Sequence, residues 1–400
     1  MMRWESATIG DICDVVNGGT PKTDVAAYWG GSHRWITPAE MGKRSTPYID
    51  RTERSITDQG LQNSSARTLP PYSVILSSRA PIGHLVINTE PMATNQGCKG
   101  LVSRGRIDHK FLYYYLGSIV DLLNELGTGT TFKELSGGNL KSVRVPLPDL
   151  AEQRLIVAIL DEAFEGIATA KDNAEKNLRN VRELFESQLE SLFAAGVAKW
   201  PKHTLEEVAN IINGYAFKST DFQSTPGIRS IKITNVGVRE FVDDASNYLP
   251  AAFSQRHSAV AVPNGSIVLA LTRTIIARGL KVAVVPKDFH GALLNQRVAA
   301  IQPHAAELET PFLFAYLSTS RVLNYVKSRV NTLMQPNLSI TDLRQLPLPL
   351  PALSEQREMV AMLNSFDEES QRLQFVNERK LSALDELKKS LLHQAFTGAL

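Results

Sequence analysis

Cysteine is scarce in this 400-residue chain, which contains only Cys13 and Cys98. Two thiols do not make the disulfide framework of a small secreted protein, so we expect a reducing, cytoplasmic environment. No run of 18 apolar residues occurs, and the opening stretch MMRWESATIGD lacks the apolar core of a signal peptide. We therefore expect neither a membrane span nor secretion.

The sequence motifs of common enzymes are also missing. The chain has no GxxxxGK[ST], no HExxH and no CxxC, and its eight histidines are scattered. LPPY at 69–72 lacks the Asn, Asp or Ser that precedes the prolines of an adenine-N6 methyltransferase site. GTGT at 127–130 is too short for a phosphate loop. ERK at 378–380 resembles the Glu-x-Lys of a nuclease, but it lies in a region predicted to be a long coiled-coil helix. We therefore expect no catalytic residue and no metal site.

What the chain does contain is a long repeat. From Pro146 to Leu160, 10 of 15 residues equal the residue 203 positions later, so that PLPDLAEQR returns as PLPALSEQR. Weaker matches precede it, such as TIGDICDVVNG with TLEEVANIING, and Asn95-Gln96 with Asn295-Gln296. The sequence is therefore a tandem duplication of a unit of about 200 residues.

Each unit ends in a segment with helical periodicity. Apolar residues from Ile156 to Leu192 recur mostly at steps of three and four, which predicts a helix of roughly 40 residues. The second copy predicts an apolar stripe of Leu363, Phe366, Leu373, Val376, Leu381, Leu384, Leu387 and Leu391. A long helix with one narrow stripe needs a partner, and the economical partner is the other copy in an antiparallel coiled coil. The alternative is that each helix packs on its own globular part.

The repeated phrase marks the entry into each helix. Pro146 to Pro148 and Pro349 to Pro351 favour an extended backbone, because a proline biases the preceding residue away from the α conformation. We expect each helix to begin within AEQR or SEQR, with an imperfect cap at Ser354.

Each long part combines strand and helix patterns. SVILSS (73–78), SIVLAL (266–271), LVIN and KVAVV are typical of strands, whereas FLYYYL (111–116) and FLFAYL (312–317) are typical of helices. We predict an α+β fold, with two mixed α/β domains related by a pseudo-twofold duplication and separated by the coiled coil. The predicted domains are 1–149 and 201–350, and the predicted spacer helices are 150–200 and 351–400.

Charge is distributed unevenly between these parts. Residues 1–149 carry 16 basic and 14 acidic side chains, and residues 201–350 carry 15 and 10, whereas both helical segments are net acidic. This distribution is either chance variation on solvated surfaces or a sign that the long parts face a polyanion.

Two pairs of polar loops are the candidates for contact with nucleic acid. HRWITPAEM pairs with RSIKITNVG, and SSRAPIGH pairs with LTRTIIARGLK, where Arg79 and Arg273 follow predicted strands. Ordinary surface ion pairs are the alternative role for these two arginines. The candidate residues are Arg34, Thr37, Ser78, Arg79, Lys232, Thr234, Thr272, Arg273, Arg278 and Lys281. For Asn95-Gln96 and Asn295-Gln296, hydrogen bonding in a turn is the simpler expectation.

The order of these features resembles the specificity (S) subunit of type I restriction-modification systems. The resemblance covers nearly the whole chain, and the doubled PLPxLxEQR is its most specific part. A TGTTFKEL or NTLMQPNLS segment precedes the phrase in each copy. The resemblance implies two target recognition domains that read the halves of a split, asymmetric DNA site. It implies helices that serve as a spacer and as the dock for two methyltransferase subunits.

The resemblance also implies that catalysis belongs to the partners. The assembled complex is expected to use S-adenosylmethionine, ATP and Mg²⁺, and restriction subunits would join through the methyltransferase subunits. We assign the partner contact to Gln153, Arg154, Gln356 and Arg357 in the repeated phrase. The alternatives are a self-contained methyltransferase or nuclease with a degenerate site, or a repeat scaffold that binds protein.

Overall fold

The chain folds into two compact units, each with its own β-sheets and helices. The computed structural model describes residues 4–44, 46–129, 133–244, 248–277, 279–330 and 336–400. The first unit consists of residues 1–175 and 378–400, and the second of residues 176–377. Each unit therefore contains one part of both long helices, and the predicted mixed α/β class is confirmed.

The two long helices are continuous over Leu150–Val197 and Leu353–Thr397. The first is capped by Asp149, whose Oδ1 accepts hydrogen bonds from the backbone N–H groups of Ala151 and Glu152 at 2.9 Å. In the second copy Ala352 occupies this position and offers no side-chain acceptor. The expectation of a cap at Ser354 was wrong, because Ser354 lies one residue inside the helix.

Within the first unit the two helices run antiparallel. Lys171 of the first helix forms an ion pair with Asp385 of the second, and Lys388 lies 5.0 Å from the ring centroid of Phe164. As the first helix advances from Phe164 to Lys171, its contacts on the second helix therefore move backwards. The predicted antiparallel pairing is confirmed in this unit.

The second unit repeats the arrangement with the other halves of the helices. Trp200, just after the first helix, donates from Nε1 to Glu355 Oε1 at 2.9 Å, near the start of the second. Further along, Phe193 lies in one apolar cluster with Met359 and Leu363. Trp4 makes the equivalent bond to Glu152 in the first unit, at 3.2 Å.

The last turns of each helix pack on an aromatic pair. In the first unit the ring of Phe396 lies 5.1 Å from Phe111 and 5.2 Å from Tyr115. In the second unit the ring of Phe193 is similarly placed against Phe312 and Tyr316, at 5.3 and 5.4 Å. Each helix therefore ends on the sheet-containing part that did not precede it.

The first turns of each helix pack on the part that precedes them. Ile156 and Leu160 are buried in the apolar core of the first unit, and Met359 and Leu363 in that of the second. The structure contains both predicted alternatives, since the helices pair with each other and each also packs on its own globular part.

The predicted stripe of the second helix is partly wrong. Phe366, Leu373, Val376 and Leu387 are exposed, although they carry the apolar periodicity. The less exposed positions between residues 363 and 381 are mainly polar, and Asn377 is buried with its side-chain amide donating to the carbonyl of Leu373 at 2.8 Å. Apolar periodicity shows that a face is hydrophobic but not which surface covers it.

The first unit contains a five-stranded and a four-stranded sheet. In spatial order the larger sheet has strands Cys13–Asn17, Cys98–Ser103, Val74–Ser78, Ile82–Asn88 and Tyr48–Ile49, and the smaller has Arg54–Ile56, Trp29–Ile36, Met92–Thr94 and Thr68–Leu69. Most pairs are antiparallel, but Trp29–Ile36 pairs in parallel with Met92–Thr94. The short helices are Ile9–Ile12, Pro38–Met41, Asp58–Gln62, His109–Ser118, Val120–Glu125 and Gly137–Ser142, with a 3₁₀ turn at Ala26–Tyr28.

The second unit repeats this plan with shorter strands. One sheet has Ala209–Asn213, Val298–Pro303, Ile267–Ala270 and Val282–Val284, and the other has Tyr248–Leu249, Ile228–Ile231, Ala292–Leu294 and Ala261–Val262. Ile275–Ile276 and Gly279–Leu280 form a separate pair. The helices are Leu205–Val208, Phe253–Arg256, Thr310–Leu317, Ser320–Arg329 and Ile340–Arg344, with 3₁₀ turns at Ser219–Asp221, Ser258–Val260 and Lys287–Phe289. The predicted strands and the two aromatic helices are confirmed.

Each predicted proline segment begins in an extended strand, which ends at Leu147 in the first copy and at Pro349 in the second. Arg144–Leu147 pairs with Glu5–Thr8, and Pro347–Pro349 pairs with Lys202–Thr204. Proline lacks a backbone donor, but a two-stranded ladder leaves one side of each strand without ladder bonds, so prolines are tolerated there. Each pair joins the start and the end of a globular part at the entry to its long helix.

The glutamine of EQR connects the first turn of each long helix to the globular part that precedes it. Gln153 is fully buried, and its Nε2 donates to the carbonyls of Pro148 and Arg106 at 2.8 and 3.1 Å. Its Oε1 accepts from the backbone N–H of Asp108 at 2.8 Å, beside the start of the His109–Ser118 helix.

Gln356 makes the same three bonds in the second unit. It donates to the carbonyls of Pro351 and Glu307 at 2.9 and 2.8 Å and accepts from the N–H of Glu309 at 2.9 Å. The side-chain amide is therefore fully used in both copies, which explains why the repeated phrase contains glutamine at this position.

We expect Gln356→Leu to lower the free energy of unfolding by about 1–3 kcal/mol, because it leaves the buried carbonyl of Pro351 and the partly buried backbone groups of Glu307 and Glu309 without this partner. Urea denaturation of the full chain measures this change. Glu358→Ala, at an exposed position two residues further on, is the matched control and should change stability by no more than about 0.5 kcal/mol. Equal, small effects of both substitutions would contradict this role of the glutamine.

Candidate nucleic-acid interface

Three strand ends meet at one edge of the first unit. The N–H of Asn95 donates to the carbonyl of Ile36 at 2.8 Å, which joins the ends of two parallel strands. The N–H of Ser78 donates to Gly97 at 2.7 Å, and the carbonyl of Ser78 accepts from Leu135 at 2.8 Å. We call the loops that follow these strands, 37–38, 79–81 and 95–97, together with residues 134–135, the first edge.

The second unit builds the same edge with the same bonds. Asn295 donates to Ile231 at 2.9 Å, Leu271 donates to Arg297 at 2.8 Å, and Leu338 donates to Leu271 at 2.9 Å. We call residues 232–234, 272–274, 295–297 and 337–338 the second edge. Loops that follow strand ends carry side chains freely, so two edges with one backbone plan can present different chemistry.

At each edge a glycine packs closely against the backbone of the Asn-Gln turn. An added Cβ at Gly18 would lie 1.9 Å from the carbonyl oxygen of Asn95, and one at Gly214 would lie 2.0 Å from that of Asn295. No side chain fits at these distances, which gives a steric reason for the repeated Asn-Gly at 17–18 and 213–214.

The hydrogen bonds correct the predicted pairing of the two arginines. Because Ser78 and Leu271 occupy the same place, Arg79 corresponds to Thr272, and Ala80 corresponds to Arg273. The backbone agrees, since Ala80 and Arg273 have φ values of 53° and 49°. Alignment by residue type instead places Arg79 opposite Arg273, which is one residue out of register.

At the first edge, Arg79 is half-buried and paired with an acid. Its Nη1 lies 3.5 Å from Glu134 Oε2, and the other carboxylate oxygen of Glu134 lies 3.9 Å from Nζ of Lys99. The alternative role of Arg79, an ion pair, is therefore present in the structure. An extra Cβ on Gly97 would lie 3.2 Å from atoms of Arg79, Pro38 and Asn95, so these side chains adjoin one another.

The remaining candidates of the first unit lie at different depths. Thr37 follows its strand and accepts from the N–H of Glu40 at 3.3 Å, as the cap of the Pro38–Met41 helix. Arg34 lies inside the strand, opposite Ser55 and Met92. Ser78 is fully buried and its hydroxyl has no hydrogen-bond partner among the described residues, so its side chain presents no surface to DNA and the predicted contact needs correction.

Asn95 bonds within its own turn, as expected. Its Oδ1 accepts from the N–H of Gly97 at 2.8 Å, and its Nδ2 donates to the hydroxyl of Thr20 at 2.9 Å. Gln96, the next residue, is exposed. The amide of Gln96 is therefore better placed than that of Asn95 to meet a ligand.

At the second edge, Lys281 connects two of the loops. Its Nζ donates to the carbonyl of Ile233 at 2.5 Å, and its N–H donates to that of Thr274 at 2.8 Å. Burial, and then the charge of Arg273, lower the pKa of Lys281. The ammonium of Lys232 lies 3.5 Å from the ring centroid of Phe222, and burial lowers its pKa as well.

The other predicted residues of the second edge are near its surface. Thr234 and Arg273 are exposed, and Thr272 is half-buried in a backbone bridge with Asn337. Arg278 lies outside the described residues. So do residues 130–132 and 331–335 of the TGTTFKEL and NTLMQPNLS segments.

The structure adds Arg297 to the second edge and Tyr215 beside it, both missed by sequence reasoning, and it exposes Gln296, for which bonding in a turn was the expectation. Gln296 and Arg297 are exposed, and Arg297 occupies the place of the buried Gly97. Tyr215 is exposed beside Gln296, whose N–H donates to its carbonyl at 2.9 Å, and its ring lies 4.4 Å from that of His257. The sequence offers one indication of Tyr215, because the repeated Asn-Gly continues as NGGT in the first copy and as NGYA in the second.

Two of the four predicted partner contacts need correction. Gln153 and Gln356 are fully buried and bonded within their own units, so their side chains present no surface to a partner. Arg154 and Arg357 are exposed, and Nε of Arg357 lies 2.7 Å from Glu309.

Cys13 and Cys98 are free, buried thiols, and burial raises the pKa of each to about 12.

Within the described ranges, no three His, Cys, Asp or Glu side chains are placed to hold a metal ion. No helix in the described part of the chain is long and apolar enough to cross a membrane.

Comparison with protein families gives one match that covers most of the chain. The model of the type I restriction modification DNA specificity domain matches residues 1–178 and again residues 198–378. The two matched ranges reproduce the duplication seen in the sequence and in the edges.

Individual relatives carry the same description. The MjaIX type I restriction enzyme specificity subunit of Methanocaldococcus jannaschii is 35% identical over 186 residues, which cover 46% of this chain and 43% of the relative. The MjaVIII specificity subunit of that organism is 24% identical over an alignment that covers 99% of this chain and 93% of the relative. This chain therefore spans less than half of the first relative and nearly all of the second.

Two solved structures have a similar fold. A chain from a study of complex assembly and conformational transition in the type I R-M system aligns with a TM-score of 0.79 at 18% identity, covering 100% of this chain and 99% of its own length. The HsdS subunit from Thermoanaerobacter tengcongensis aligns with a TM-score of 0.63 at 18% identity, covering 100% and 98%. At this identity the likeness concerns the fold.

Proposed function

The chain belongs to the type I restriction-modification DNA specificity family, and from this premise we propose that its two edges read the two halves of a split DNA target. A specificity subunit is not itself an enzyme; it directs the action of others. The duplicated edge is the observation that carries the proposal, because one backbone plan holds different side chains in the two units.

The chemistry of the edges suits DNA. Arginine, threonine and glutamine side chains donate to phosphates and to base edges in the major groove. The second edge brings the exposed Gln296, Arg297 and Arg273 together on adjoining loops. The first edge carries Gln96, Thr37 and the half-buried Arg79 at neighbouring positions. Because the side chains differ, the two half-sites should have different sequences, and the target should be asymmetric.

The second long helix supplies the surface for a partner. Met362, Phe366, Leu373 and Val376 follow at spacings of four, seven and three residues, so they lie on one side of the helix, and all four are exposed. We call them the exposed helix face. Such a row of apolar side chains is typical of a helix that packs against another protein. We propose that a methyltransferase subunit covers this face and that a second one docks on the corresponding surface of the first helix, near Arg154 and Ile159.

In this proposal the partners hold the small molecules of the reaction. The methyltransferase subunits bind S-adenosylmethionine, and restriction subunits that join through them use ATP and Mg²⁺. The present chain selects the DNA sequence on which these subunits act.

A selection from random duplex DNA tests the proposed function. The purified chain, alone and with its methyltransferase subunits, is incubated with the library, and bound duplexes are sequenced. We expect two short conserved blocks of different sequence separated by a fixed gap, with higher affinity when the partner is present. Methyl transfer by the chain alone, or selection of no two-part sequence, would refute the proposal.

We expect Arg297→Ala and Arg273→Ala each to weaken DNA binding and to reduce the slope of log K against log salt by about 0.9, because each removes one contact with a phosphate. Titrations at several salt concentrations measure the slope. Lys287→Ala is the control, since Lys287 is exposed beyond the opposite end of the Val282–Val284 strand. Slopes equal to that of the unaltered chain for both arginine variants would remove them from the interface.

We expect Phe366→Glu to reduce binding of the methyltransferase subunit at least about 10-fold, because a charge enters an apolar contact surface. Its melting temperature should stay within a few degrees, since Phe366 is exposed. Leu122→Glu, at an exposed apolar position on the Val120–Glu125 helix, is the matched control. Co-purification and calorimetry measure binding, and full binding by the Phe366 variant would show that the partner lies elsewhere.

A further inference from the structure

One position is occupied by an acid in the first edge and by an amide in the second. Glu134 lies next to Leu135, whose N–H donates to Ser78 at 2.8 Å, and Asn337 lies next to Leu338, whose N–H donates to Leu271 at 2.9 Å. Both residues also form isolated bridges with the residue after that strand end, Arg79 in one unit and Thr272 in the other. Glu134 and Asn337 are therefore equivalent in the backbone.

Two cations hold the carboxylate of Glu134 in place. Oε2 lies 3.5 Å from Nη1 of Arg79, and Oε1 lies 3.9 Å from Nζ of Lys99, a lysine that is itself buried. Glu134 remains partly exposed, with 42% of its side chain accessible. The two cations therefore fix the position of the carboxylate, and its exposed part is still able to contact a ligand at the edge.

A carboxylate is an unusual group to find beside DNA. It accepts hydrogen bonds but donates none, and phosphates repel it. Its favourable partner on DNA is the exocyclic amino group of a base, most often N4 of cytosine in the major groove. An acid placed at a DNA-reading edge therefore weakens binding to sequences that lack an amino group at that point.

We propose that Glu134 is a specificity-determining residue that accepts a hydrogen bond from an exocyclic amino group in the half-site read by the first unit. Arg79 and Lys99 are its positioning residues, which offset the repulsion by phosphates and fix the carboxylate. This inference rests on the proposed function, since it concerns the same edge.

The second edge supplies the contrast. Asn337 is neutral and both donates and accepts, while Arg273 and Arg297 are exposed nearby. The second unit therefore attracts phosphates without an acid at this position. At the equivalent base pair, the second unit can therefore contact a hydrogen-bond acceptor as well as an amino group.

Glu134→Gln and Asn337→Asp test the assignment in the full chain bound to its methyltransferase subunits, with random duplex DNA as the probe. We expect Glu134→Gln to relax discrimination at one position of one half-site by about 5-fold or more. The other half-site should stay unchanged, and affinity for non-specific DNA should rise. Asn337→Asp should alter one position of the opposite half-site and weaken non-specific binding.

The outcomes separate this inference from the proposed function. If the unaltered complex selects no two-part sequence, the proposed function fails. If it does select one and Glu134→Gln leaves every position unchanged, the assignment of Glu134 is wrong. Should the glutamine variant not fold, as shown by its melting curve, Arg79→Lys replaces it. That variant keeps the charge but loses the forked geometry, and it should relax a single position of the half-site read by the first unit; a uniform loss across both half-sites would overturn the proposal.

Discussion

Three hydrogen bonds to one buried amide determine how each long helix leaves its globular part. Gln153 and Gln356 each join the proline segment, the loop before an aromatic helix and the first turn of a long helix. Burying an amide costs free energy unless all its groups are bonded, and here they are. The first turn of each long helix is thereby tied to the sheet-containing part that precedes it.

The fixed frame allows the edges to differ. The strand ends are joined by backbone hydrogen bonds that do not depend on side chains, and glycines at 18 and 214 keep the same close approach in both units. Side chains on the connecting loops are then free to vary, as the exchange of Gly97 for Arg297 and of Glu134 for Asn337 illustrates. A duplicated scaffold with divergent loops is a physical route to reading two unlike sequences.

The sequence predicted the secondary structure well and the side-chain environment less well. Strands such as Val74–Ser78 and both aromatic helices follow from local composition, and the helical segments follow from their period. The buried face of the second helix does not follow from the period, because Phe366 and Val376 are as apolar as core residues although both are exposed. The burial of Gln153 and the one-residue offset between Arg79 and Arg273 depend on hydrogen bonds between distant segments, which no local pattern contains. Those bonds give the residue-by-residue register of the two edges, of which the repeat in the sequence gives only the approximate pairing.

The division of the chain into units affects the order in which they can be completed during translation. The second unit is contiguous, but the first combines residues 1–175 with residues 378–400, which the ribosome adds only after the whole second unit. At about 5–20 residues per second, the 202 residues from 176 to 377 take roughly 10–40 s. During this time Phe111 and Tyr115 lack the ring of Phe396 that covers them in the finished unit. The half of the protein that is made first is therefore finished last, and its apolar surface has to be kept from aggregating until residue 396 emerges.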